Sequence, residues 1–140
     1  MASVTAKLAR LQLHAGGFFS IENPLSSLIW EIPSFRALAA LAGVVAVDGD
    51  QFLGGGPYRK PTRWLGNAPW MECLRYSCPG PPAHCHIPLV GKTVDSNGAT
   101  MWLTERAAEY SEGLCDIIAD AFANSMVQRR QKIEPVFTEH

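Results

Sequence analysis

At 140 residues the chain is long enough for one domain and hardly two, and 47% hydrophobic with 18% charged residues is a globular balance that excludes wholesale disorder. A net charge of −1 gives no support to a protein held on DNA mainly by its own charge, although local basic patches remain open. No stretch approaches the roughly 20 apolar residues of a membrane span, and the first residues lack the apolar core of a signal peptide. With four cysteines, Cys73, Cys78, Cys85 and Cys115, this predicts an intracellular context, cytoplasm or nucleus, in which thiols stay reduced.

In chain order, Val4, Leu8, Leu11 and Ala15 recur at helical spacing, with Lys7, Arg10 and His14 off that stripe. They predict a short amphipathic helix ended by Gly16-Gly17. "FFSI", 18–21, reads as a strand with Glu22 at its C-terminal edge, and Pro24 stops it by removing a donor. A short helix over Ser26–Trp30 precedes Pro33. Ser34 is the expected cap of "FRALAALA", with Gly43 at its end. "VVAV", 44–47, reads as a strand covered on both faces. Helix, strand, helix, strand is the wiring of a parallel α/β sheet.

The middle changes character. Residues 49–70 are rich in Gly and Pro, and Arg59, Lys60, Arg63 and Arg75 are four of the chain's twelve cations. This reads as a long loop entering a short strand, "TRWLGN", and loops of that length are often functional. A turn-rich segment, 78–92, leaves through a strand over His86–Val90, and "VDSNGATMW" reads as a connecting loop. Leu114, Ile117, Ile118, Ala121 and Phe122 form the apolar face of a last helix with Ser111 as its cap. The division is one domain over 1–126 and a tail over 127–140.

Three constellations can carry chemistry. In open α/β sheets ligands bind beyond the carboxyl ends of strands, where Glu22 and Asn23 stand. A protonated Glu22 donates to a ring nitrogen while its other oxygen accepts from an exocyclic amine. On three residues alone, a carboxylate capping the next helix is the simpler account. Arg59, Lys60 and Arg63 in "GGGPYRKPTRW" can grip phosphate or a base edge, with Tyr58 and Trp64 available for stacking. A solvated charged loop explains them as well. Cys73, Cys78, His84, Cys85 and His86 offer five ligands to zinc, of which Cys73, Cys78, His84 and His86 are one set, but the spacing fits no standard finger. Small core cysteines and a strand-edge His-Cys-His are the alternative.

The order of "FSIENPLSSLIW", "DGDQFLGGGPYRKPTRWLGN", "CPGPPAHCHIPLVGK" and "AAEYSEGLCDIIADAF" resembles the C-terminal half of DNA cytosine-5 methyltransferase-like proteins of the divergent phage and mobile-element form. That form reads E-N-P-x-x-S-x-x-W, D-Q-C-x-x-G-x-x-x-R-K-P-T, C-x-G-x-H-x-H and A-x-x-Y-P-x-x-L-C, and the match spans roughly residues 10 to 126. The resemblance implies an α/β fold holding a partial Rossmann-like methyltransferase sheet with flanking helices. It implies that Glu22 holds a flipped-out cytosine as the catalytic glutamate, with Asn23 beside it. Arg59, and Arg63 second, would contact the base or its phosphate. The helix from near Tyr110 would pack toward an S-adenosylmethionine pocket, and DNA would be the partner.

The departures from that pattern are the F-x-G-x-G cofactor motif and the Pro-Cys nucleophile, which in the family precede the E-N block and do not precede it here, and Phe52 in place of the D-Q-C cysteine. The expectation is therefore a chain inactive alone that binds no S-adenosylmethionine by itself. Its exposed sheet edge would pair with a missing N-terminal half or with another copy. A small Cys/His zinc-binding module for nucleic acid or protein is the competing reading, and an α/β domain with purely structural roles the third. A cavity gathering Glu22, Arg59 and the end of strand 44–47 separates the first from the third.

Overall fold

The computed structural model describes residues 2–80 and 86–133, with the side chains of 131–133 left out. Its elements are α1 (Ala2–His14), β1 (Ser20–Pro24), α2 (Pro33–Ala39), β2 (Val45–Asp50), β3 (Pro61–Gly66), β4 (Lys92–Val94), β5 (Thr100–Trp102), α3 (Leu103–Arg106) and α4 (Glu112–Ile133). Short 3-10 turns at Leu28–Glu31, Gln51–Gly54 and Pro69–Leu74 punctuate them. The fold is mixed helix and sheet.

The main sheet has the order β1-β3-β2, and both pairings are antiparallel. The strands β1 and β2 therefore run parallel to each other, as the helix–strand alternation predicts, but they do not touch: β3 lies reversed between them. Register settles which side chains share a face. Glu22 and Val47 both stand opposite Trp64, whereas Asn23 and Asp48 both stand opposite Arg63. Paired residues project to the same side and successive residues to opposite sides.

Two cores follow from this alternation. On one face Leu65 meets Ala6 and Ala9 of α1, Phe35 and Leu38 of α2, and Val44. On the other, Val47 and Trp64 meet Met71, Leu74 and Leu114, the last from α4. Gly49 lets the Pro69–Leu74 segment close on β2, because a Cβ there would collide with the carbonyl oxygen of Leu74. The adjoining Asp50 amide then donates to Tyr76 O at 2.8 Å.

Several elements depart from the sequence expectation. Helix α1 forms, but it buries Ala6 and Ala9, 2% and 5% exposed, and leaves Val4, Leu8 and Leu11 at 56%, 60% and 65%. Close packing on α2 selects the alanine stripe, since small side chains admit a nearby helix. Strand β1 runs on to Pro24, so Glu22 lies within the strand and not at its end. Leu25 N donates to Pro61 O, which makes residues 21, 23 and 25 the inward-bonded positions and turns Pro24 outward, where a missing N–H does no harm. Pro33 opens α2 from Ile32 with no side-chain cap, in place of Ser34. Residues 86–90 form no strand, and "VDSNGATMW" lies within the β4–β5 hairpin. Ser111 does cap α4, its Oγ accepting from Leu114 N at 3.3 Å, and α4 runs on to Ile133 through the first residues of the expected tail. Among the described residues no helix is long and apolar enough to cross a membrane.

Candidate functional site

Glu22 projects on the α4 side of the sheet. Just beyond β2, Gln51 is buried and spans the gap to it: its Nε2 donates to Glu22 Oε1 at 3.3 Å and to Thr62 Oγ1 at 3.1 Å. Thr62 Oγ1 in turn donates to Lys60 O at 3.0 Å, so the amide and hydroxyl form a fixed polar shelf under the carboxylate. The Tyr110 hydroxyl lies beside Glu22 as well. Burial first, then the neighbouring Glu22 charge, push the Tyr110 pKa up to about 12, so it stays a neutral donor at ordinary pH.

Lys60 stands at the rim of this group. It is the one described non-glycine residue with positive φ, at 42°, a conformation that L-residues adopt rarely. Its Nζ donates to Ala107 O at 2.8 Å and lies 5.7 Å from the Tyr110 ring centroid. Burial lowers its pKa and the Glu22 charge opposes that shift, which places the two charges within electrostatic reach. Lys60 lines two clefts. One, of about 560 Å³, is bounded by Gln51, Tyr58, Lys60 and Tyr110. The other, of about 520 Å³, is more apolar and bounded by Pro24, Leu25, Lys60 and Leu89. Both are of small-ligand size.

The other candidate residues sit elsewhere. Arg59 Nε donates to the buried Asp50 Oδ2 at 3.1 Å, at the end of β2, and Arg59 lines neither cleft. Asp50 Oδ2 also accepts from Cys78 N at 2.7 Å, so this pair fastens the loop to the 78 segment. Arg63 and Asn23 project on the opposite face from Glu22. There Arg63 forks onto Asp48, with both bonds at 2.7 Å, and stacks over Trp30 at 5.9 Å. That fork holds the Asp48 pKa below the ordinary carboxylate value. Neither cleft gathers Glu22, Arg59 and the end of β2, for Glu22 and Arg59 line neither of them, and Asn23 and Arg63 belong to the other side of the sheet.

Of the candidate zinc ligands, Cys78 Sγ and His86 Nε2 meet at 2.9 Å, with Phe52 edge-on to the imidazole at 4.5 Å. Cys73 is exposed on the Pro69–Leu74 turn, and His84 and Cys85 lie outside the described residues. Among the described residues no three His, Cys, Asp or Glu side chains gather as a metal set.

Gln51, Thr62 and Tyr110 are the members of the cluster that sequence reasoning does not select as site residues, and it selects Lys60 only together with Arg59 and Arg63. The signal was register. Once Glu22 is set opposite Trp64, Thr62 shares its face and Arg63 cannot. No family model, curated protein or solved structure matches this chain.

Proposed function

We propose that the chain is the C-terminal half of an S-adenosylmethionine-dependent DNA cytosine-5 methyltransferase-like domain, and that it binds cytosine without methylating it alone. The observation that supports this reading is convergence. Three of the four blocks that carry the resemblance, far apart in sequence, meet in one cluster: Glu22 comes from E-N-P, Gln51, Lys60 and Thr62 from the D-Q to R-K-P-T block, and Tyr110 from A-x-x-Y. A carboxyl held by an amide and a hydroxyl suits the N3 and exocyclic-amine edge of cytosine. A sheet with one reversed strand is also compatible with the end of a Rossmann-like doubly wound sheet.

The described residues do not suit the cofactor. The Gly54-Gly55-Gly56 run leads from a 3-10 turn toward β3 and opens no helix, so it lacks the glycine-turn-to-helix cradle that holds a nucleotide cofactor. The outer edge of β1 and the exposed Val4, Leu8 and Leu11 face of α1 are the surfaces this reading gives to an N-terminal half or a second copy.

The test is titration of the purified chain with short single-stranded DNA carrying one cytosine, against the same strand with thymine, read by tryptophan fluorescence. The reading predicts a preference for cytosine that Glu22→Ala removes. Equal binding of the two strands, unchanged by Glu22→Ala, contradicts it. The Cys78–His86 contact favours a second reading, a Cys/His zinc module, which requires about one zinc per chain by atomic absorption.

A further inference from the structure

Four cations lie between residues 59 and 75, and the structure treats them differently. Arg59 is paired with Asp50, Arg63 with Asp48 and Arg75 with Glu72. Each guanidinium has its neutralising carboxylate. Lys60 has a neutral carbonyl, Ala107 O, in that place. It also lies within electrostatic reach of Glu22, lines both clefts and holds a strained backbone angle. Strain of this kind persists only where the surroundings impose it, and it gathers at ligand sites.

We infer that Lys60, and neither Arg59 nor Arg63, is the cation that receives the phosphate of a pyrimidine nucleotide whose base edge rests on Gln51 and Tyr110, which line the same cleft. The inference rests on the cytosine reading above and adds the anion to it. Lys60 Nζ exchanges one hydrogen bond, to the neutral carbonyl of Ala107, for one to an anionic phosphate oxygen, which is the stronger acceptor for an ammonium. The arginines would each have to abandon a carboxylate, and Arg63 would have to cross the sheet. Lys60 lines both clefts, and Gln51 and Tyr110 line the first, so a base in that cleft stands beside the ammonium.

The experiment is calorimetric titration of the full chain, at low salt, with cytidine, cytidine 5′-monophosphate and inorganic phosphate. The monophosphate is expected to bind about tenfold more tightly than cytidine, the size of one charge-assisted hydrogen bond. Lys60→Asn should abolish that preference, since Asn tolerates the left-handed backbone but carries no charge. Lys60→Arg should keep most of it, and Arg59→Met should leave it intact. A preference that survives Lys60→Asn, or that Arg59→Met removes, overturns the inference. Cytidine binding with no gain from the phosphate overturns it too and leaves the cytosine reading standing. Lys60-dependent binding of the monophosphate and of inorganic phosphate, with no binding of cytidine, upholds the anion site and removes the cytosine reading. Failure of all three ligands to bind removes both.

Discussion

The two faces of one small sheet use charge in opposite ways. On the side of α1 and α2, Asn23, Arg63 and Asp48 stand in one row across the three strands, and Arg63 is forked onto Asp48 above Trp30. That row is electrostatically closed. One residue along each strand, on the side of α4, Glu22 is met by an amide and a hydroxyl, while Lys60 nearby is met by a carbonyl. Neutral dipoles hold both charges, and a ligand can replace dipoles at little loss. A one-residue step in a strand therefore separates a scaffold from a site. The two arginines that look functional in the sequence, Arg59 and Arg63, each hold a carboxylate of β2.

Changes to the two rows should therefore have different signatures. The largest effect is expected where the α4 face rests on its core. Trp64→Ala removes a buried side chain directly opposite Glu22 and should cost about 3–5 kcal/mol in urea denaturation. A loss under about 1 kcal/mol would mean that this face is not packed as described. Arg63→Ala should cost only about 1 kcal/mol, because its ion pair is partly exposed, and should leave ligand binding unchanged. The sign with pH is fixed. The folded-state pKa of Asp48 is depressed, so the pair contributes above the unfolded carboxylate pKa and loses its contribution as pH falls through the folded value. The Arg63→Ala chain should accordingly lose less stability on acidification than the parent.

Smaller effects sharpen the contrast. Leu8→Ser and Leu11→Ser should each change stability by no more than about 0.5 kcal/mol, since both side chains are largely exposed. In an ultraviolet titration, Tyr110 should ionise near pH 12, and Glu22→Gln should bring it down only part of the way toward the ordinary value, because burial is the larger cause. Its raised folded pKa makes a contribution present below the unfolded tyrosine pKa and lost as pH rises through about 12.

The long helices and β3 were legible because their periodicity and caps are local: Ser111 before α4 is one example. What is set by non-local pairing was not legible. Nothing near "TRWLGN" says that it inserts, reversed, between β1 and β2. Without that pairing the register, and hence the face of Glu22, Lys60 and Arg63, stays hidden. The apolar stripe of α1 was read by size, and the structure chose by fit, burying alanines. The β4–β5 hairpin escaped because its strands are three residues each, although its turn is well marked: Asp95 Oδ1 accepts from Asn97 N and Ala99 N, and Gly98 takes a φ of 82°.

The most direct test of the difference between the faces is a backbone amide NMR titration of the chain with cytidine. The account predicts shift changes at Glu22, Gln51, Lys60, Thr62 and Tyr110, and none at Asp48, Arg63 or Trp30. Changes centred on Asp48 and Arg63 with the Glu22 cluster silent would contradict it.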